Sequence, residues 1–246
     1  MPRGTPDGRI ETQQFAAQVS DVAHVNNMLW GFSPINGQGR VIYFDTFNNG
    51  LSGVGLSSTG AGIAPALYTG GAGLGDVFSP PYCCKMNPGT VVNDRSFLFR
   101  EFYAGNSKRL GIEFAVSKNN LTPTFRAQID YSALGFSPWL GVINFDEPSD
   151  VWQIWRGGGV WTTFYSPVAS PTNRMHMQVK LVMNFETGYY VKAFIGDYEF
   201  DLSAYTMGPS LSSYPGYFIS TITAVSRGAG TVPLNLGYIL ITKDEP

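Results

Sequence analysis

Residues 175–205 read MHMQVKLVMNFETGYYVKAFIGDYEFDLSAY, and their hydrophobic period is two. Side chains on a strand point alternately to opposite faces, so Val179, Leu181 and Met183 are predicted to face one core. The Glu186-Thr187-Gly188 turn lets Met175 to Phe185 pair with Tyr189 to Ile195, and Glu199 to Leu202 adds a short third strand. Working outward, Val151 to Arg156 and Val160 to Tyr165 flank Gly157-Gly158-Gly159. Consecutive glycines permit the positive φ that a tight hairpin needs. Val41 to Phe44, Tyr82 to Met86, Ser96 to Phe102, Leu110 to Val116, Thr124 to Tyr131 and Trp139 to Phe145 are further strands. Tyr217 to Ala224 and Leu236 to Thr242 complete them, while the Gly-, Ser- and Asn-rich stretch 48–75 reads as long loops with weak strands. Many short strands without βαβ alternation predict a mostly β, antiparallel sandwich or barrel.

The N-terminal stretch is different. Residues 1–11 read as a polar arm, and 12–30 carry a helical pattern in which Phe15, Val19, Val22, Asn26 and Leu29 recur at steps of four and three. That is a heptad seam with one polar member, and a buried Asn at such a position can fix register and oligomer number. Two readings stay open: a helix packed on its own body, or one docked between subunits. The expected division is 1–39 as arm, one short helix and linker, and 40–246 as the sandwich.

Composition narrows the function. Lys and Arg total 16 against 18 Asp and Glu, a net charge of −2, which argues against electrostatic capture of nucleic acid or an anionic membrane. Charged residues are 14% of the chain, against roughly 25% in an ordinary soluble domain. A surface so poor in charge tends to associate, which suits a protein that buries much of it in subunit contacts. No apolar run reaches the length of a membrane span or a signal peptide, so synthesis in the cytoplasm is expected. Cys83 and Cys84 are adjacent and would point to opposite faces, so they read as packing residues and not as a disulfide.

The 175–205 segment resembles the concanavalin A-like jelly roll of laminin-G domains and family-16 glucanases. An apolar strand ending in an acid, a turn, a second strand and a short hairpin mark that fold, and Asn184 stands here where the acid is usual. RVIYFDTFNNGLSGV (40–54) resembles its first strand, and LGYILITKDEP (236–246) its closing strand, which returns beside the first. The MPRGTPD arm and the EP ending are also similar to virion structural proteins of tailed bacteriophages.

Glycosidases of the resembled fold carry two acids on one strand, and a retaining mechanism needs their carboxyls about 5–5.5 Å apart. The E-x-D here is Glu199-Phe200-Asp201, but Ser203 and Ala204 occupy the places of the further acid. The segment also matches a late hairpin of the fold and not its catalytic strand. No G-x-S-x-G occurs, and Gly70-Gly71-Ala72-Gly73 is followed by no phosphate-binding Lys and Ser/Thr. These absences lead to the expectation that the chain is not an enzyme, with no catalytic residues and no cofactor. A structural calcium ion is the one metal considered, with Asp45 as its candidate ligand.

Trp152, Trp155, Trp161 and Tyr165 crowd into one hairpin. Alternation puts Trp152 and Trp155 on opposite faces, so at least one ring should point outward, where a flat ring can stack on the apolar face of a sugar. The plain alternative is core packing on one face and cover by a loop or subunit on the other. Two functional classes follow. The first is a non-enzymatic virion component (a decoration, spike or tail-associated subunit) that forms a homo-oligomer, with rings or trimers as its closed forms, and contacts other capsid or tail proteins. The second is a lectin-like carbohydrate-binding module whose partner is a glycan, with the aromatic hairpin as its surface.

Overall fold

The computed structural model describes residues 39–68, 82–118, 124–132, 139–167, 175–210, 217–228 and 233–246. The arm, the helical segment and the seam Phe15, Val19, Val22, Asn26 and Leu29 lie outside the described residues, and so does the 1–39 boundary apart from Gly39.

The strands are β1 (Arg40–Asp45), β2 (Gly55–Thr59), β3 (Ile63–Tyr68), β4 (Cys83–Asn87), β5 (Arg95–Phe102), β6 (Arg109–Lys118), β7 (Thr124–Ser132) and β8 (Trp139–Asp146). They continue as β9 (Val151–Trp155), β10 (Trp161–Tyr165), β11 (Met175–Asn184), β12 (Tyr189–Ile195), β13 (Tyr198–Asp201), β14 (Gly208–Pro209), β15 (Tyr217–Val225) and β16 (Leu234–Lys243). One 3-10 turn, Glu147–Ser149, is the helical element among the described residues.

The strands form two antiparallel eight-stranded sheets. Sheet A runs β13-β12-β11-β6-β16-β4-β3, with β1 also paired to β16. Sheet B runs β10-β9-β8-β7-β15-β5-β2, with β14 on β8. This is the concanavalin A-like jelly-roll sandwich. The first strand does lie beside the last, with Phe44 opposite Leu240 and Asp45 opposite Ile239.

Within the described part of the 48–75 stretch, residues 48–68, the weak strands are β2 and β3. Gly55-Leu56-Ser57-Ser58-Thr59 has no apolar alternation of its own. It becomes a strand by hydrogen-bonding to the edge of β5, with Ser57 opposite Phe97. Tertiary pairing overrides local propensity there.

The predicted period sets the core. Val179, Leu181 and Met183 of β11 are fully buried and meet the inward row of sheet B. Phe114 on β6 packs on Phe125 on β7, with ring centroids 4.9 Å apart. Gly141 on β8 faces Met183 so closely that an added Cβ would lie 2.0 Å from its sulfur. Tyr190 crosses from sheet A to the backbone of sheet B. Its hydroxyl accepts the Val142 N–H (3.0 Å) and donates to the Trp155 carbonyl (2.7 Å). Burial of that phenol pushes its pKa well above the ordinary value, so it stays a hydrogen-bond donor.

Gly157, Gly158 and Gly159 all have positive φ, as the β9–β10 hairpin demands. At the β11–β12 turn, Asn184 Oδ1 accepts the N–H groups of Glu186 (3.0 Å) and Thr187 (3.3 Å). The residue in the place of the family's acid thus builds an Asx turn. Cys83 and Cys84 are buried and not disulfide-bonded, and burial pushes the Cys84 thiol pKa up.

Candidate functional site

The two faces of sheet B are chemically distinct. Phe125, Ala127, Ile129, Ile143, Phe145, Trp152 and Ile154 turn inward and are buried. Thr124, Arg126, Asn144, Asp146 and Gln153 occupy the alternate positions, so their side chains lie on the outer face. Strand register then aligns residues from distant parts of the chain. Phe97 pairs with Thr223, Thr223 with Arg126, Arg126 with Asn144, Asn144 with Gln153, and Gln153 with Thr163. One row therefore crosses six neighbouring strands, β5 to β10 in spatial order.

Its larger polar members are linked. Arg126 Nε donates to Asn144 Oδ1 (3.0 Å), Asn144 Nδ2 to Gln153 Oε1 (3.2 Å), and Gln153 Nε2 to Thr163 Oγ1 (3.5 Å). The Arg126 guanidinium lies over the Trp161 ring, 4.9 Å from its centroid. Beyond the row, Arg227 Nε donates to Thr124 Oγ1 (2.6 Å), and Arg227 pairs with Asp146.

Thr124, Arg126, Asn144, Asp146, Gln153, Trp161 and Arg227 line a cavity of about 340 Å³ together with Asn93 and Val225. That volume falls at the small end of ligand sites, and such sites are usually mostly apolar. Here the lining is amide, hydroxyl, guanidinium and carboxylate around one indole. Such a set can hydrogen-bond several hydroxyls from fixed positions. It matches a sugar better than a hydrophobic ligand.

The aromatic hairpin does not act as one surface. Trp152 is 1% exposed and packs on Phe145 inside the core, so no ligand can reach it. Trp155 is half-buried, and Gly208 passes so close that an added Cβ would lie 2.3 Å from its ring. Tyr165 packs at the sheet edges, on Phe200 (4.8 Å) and Tyr198 (5.9 Å) of sheet A. Of the four rings, Trp161 lines the cavity.

Glu199 and Asp201 lie on the edge strand β13 of sheet A, away from the cavity. Glu199 forms an ion pair with Lys192 (3.5 Å). Asp201 accepts the Ser203 N–H (2.9 Å), and hydrogen bonds from Ser203 hold its carboxyl below the usual range. Asp45, the calcium candidate, has both carboxylate oxygens engaged within the chain. Its Oδ1 accepts the Phe47 N–H (2.6 Å) and its Oδ2 the Tyr43 hydroxyl (2.9 Å). Burial lifts this carboxyl above its ordinary pKa, opposed in part by those two hydrogen bonds and by Arg100. Among the described residues, no three His, Cys, Asp or Glu side chains come together as metal ligands.

Sequence inspection does not single out Arg126, Asn144, Gln153, Thr163 or Arg227. The signal that points towards them is the alternation of Thr124, Arg126, Gln128 and Asp130 along a strand whose other face is apolar. That alternation marks an outward polar face. It does not say which residues of neighbouring strands stand beside it.

No protein-family model matches the sequence, and no curated protein does. Solved structures do match in fold. One is the carbohydrate esterase from the Shiga toxin-encoding bacteriophage phi24B, at 15% identity and TM-score 0.52, with 81% of this chain and 95% of that chain covered. Another is lectin I-B4 from Griffonia simplicifolia, at 7% identity and TM-score 0.50, with 82% and 98% covered. A glycoside hydrolase family 16 endo-glucanase from Bacteroides ovatus aligns at 10% identity and TM-score 0.47, with 81% and 99% covered. The class defined by the fold is thus the concanavalin A-like sandwich. Within it stand both a lectin and a phage carbohydrate esterase. The expectation that this chain is not an enzyme is corrected on that ground. A missing pair of glycosidase acids says nothing about ester cleavage, and a fold shared with an esterase leaves enzymatic status open.

Proposed function

We propose that this chain is the glycan-recognition module of a virion component. The observation that carries the reading is the cross-strand row Arg126–Asn144–Gln153–Thr163, hydrogen-bonded end to end and flanked by Trp161 over a 340 Å³ cavity. Sugars present ring hydroxyls that pair with amides and guanidinium groups, and a C–H face that packs against an indole. A rigid sheet holds these groups in place, so little ordering cost is paid on binding. The likeness of fold to a lectin and to a bacteriophage protein supports both halves of the proposal.

In this reading the glycan is the partner that adhesion requires. Residues 1–39, with the seam Phe15, Val19, Val22, Asn26 and Leu29, hold copies together or to other capsid or tail proteins. The module then works multivalently, so weak single-site binding becomes useful avidity.

The test is a glycan array probed with the full chain and with Trp161→Ala and Asn144→Ala. Retention of a defined set of glycans by the native chain, lost in both folded variants, is expected. Failure of the folded native chain to retain any glycan overturns the proposal. Light scattering on the full chain and on a variant lacking residues 1–35 tests the assembly half. A monomer in both cases overturns it.

A further inference from the structure

Resting on the glycan reading, we infer that the ligand is an acidic saccharide whose carboxylate meets the guanidinium of Arg126. The charges at the cavity are unequal. Arg126 and Arg227 line it together with Asp146, the carboxylate among the lining residues. That carboxylate forms its ion pair with Arg227, which also donates to Thr124. Arg126 donates instead to the neutral amide oxygen of Asn144. Among the described residues it has no ion-pair partner.

A guanidinium presents five N–H groups in a planar fork. One of them goes to Asn144, and the plane rests on Trp161. The remaining edge has no acceptor among the described residues. This is an expensive arrangement, because a half-buried cation loses hydration without gaining a counter-charge. Burial, and then the neighbouring Arg95 and Arg227, pull the Arg126 pKa below its ordinary value, and Asp146 only partly opposes them. A bound anion would remove that cost. A carboxylate suits the site best, since its two oxygens match the fork. The attraction is local, because the whole chain carries a net charge of −2 and would repel anions elsewhere.

A purely neutral sugar would leave the Arg126 charge uncompensated, so selection among glycans should follow charge. The experiment is an array carrying neutral, uronate- or sialate-bearing, and sulfated glycans, followed by titration of the best ligand. The expected result is retention of carboxylated glycans. Affinity should fall about 10- to 100-fold in Arg126→Gln, the loss expected for hydrogen bonds to a charged group. Arg126→Lys, which keeps charge without the fork, should recover only part of it. Two measurements need no variant. Methyl-esterifying the ligand carboxyl should weaken binding by a similar factor, and so should salt near about 0.5 M to a lesser degree.

Equal retention of neutral glycans, with Arg126→Gln and the methyl ester unaffected, overturns the inference while leaving the glycan proposal intact. Preference for sulfated over carboxylated glycans overturns the carboxylate assignment. A folded native chain that binds no glycan of any charge overturns both.

Discussion

The outer faces of the two sheets use similar residue types to opposite ends. On sheet A, Lys180 and Glu245 are both fully buried and form an ion pair at 2.7 Å. Thr242 donates to the same Glu245 oxygen, and beside it the Tyr238 hydroxyl donates to buried Glu113 (2.7 Å). Gly111 leaves the room: a Cβ there would lie 2.9 Å from Glu245 Oε1 and 3.1 Å from Lys180 Cε. On sheet B, Arg126 donates to a neutral amide and lies over Trp161, and its row borders a cavity. The sheet A cluster is shut away from solvent, with Lys180 and Glu245 paired inside the protein. On sheet B the guanidinium of Arg126 has no ion-pair partner among the described residues and borders an open cavity, which is why the proposed ligand is placed there.

The harshest test of this contrast is Lys180→Met. Leaving Glu245 buried without its cation should cost about 3–5 kcal/mol, whereas Lys180→Met with Glu245→Leu should recover most of that. Denaturant titration of both variants checks it. A single variant as stable as the native chain would remove the contrast between the faces.

Its neighbour in sequence points the other way. Leu181→Ala empties space between the sheets and should cost about 2–5 kcal/mol, read from the same titrations. The two adjacent residues should fail for different reasons, since only the Lys180 loss is rescued by a second substitution.

On the outer face of sheet B, Gln153→Ala should stay within about 0.5 kcal/mol of native stability while weakening glycan retention. Loss of stability without loss of retention would make the row structural.

The smallest effect concerns Asp130, which accepts the Ser210 hydroxyl on that same face. Burial raises its carboxyl pKa, and the Ser210 bond opposes this only in part. The folded chain therefore holds this proton more tightly than the unfolded one. Its contribution to stability is present below the unfolded carboxylate range and is lost as pH rises through the folded value. Asp130→Asn should gain on the native chain from acid to neutral pH in melting experiments, modestly because solvent screens the site. A constant difference across that range would show that Asp130 carries no shifted proton.

Much of this architecture is legible from residues alone. Val179, Leu181 and Met183 announce their inward row and three glycines announce the β9–β10 hairpin, while the meeting of the 40–54 and 236–246 strands is implied by their resemblance to the first and closing strands of the jelly roll. Two features are not legible. β2 and β3 are strands because β5 and β4 offer them hydrogen bonds, and Gly55 to Thr59 shows no such tendency in isolation. The four rings of the aromatic hairpin look equivalent on paper, yet Trp152 is core, Trp155 lies under Gly208, Tyr165 sits at the sheet edges and Trp161 lines the cavity.

Which face of each strand is apolar follows from the order of residues, because alternation is a property of chain neighbours. Which polar residues stand side by side does not follow from that order and is settled by the folded sandwich. Arg126, Asn144, Gln153 and Thr163 lie on four strands, and their alignment depends on inter-strand register. A shift of one residue would send each side chain to the other face, so the site exists only once the whole sandwich has fixed that register.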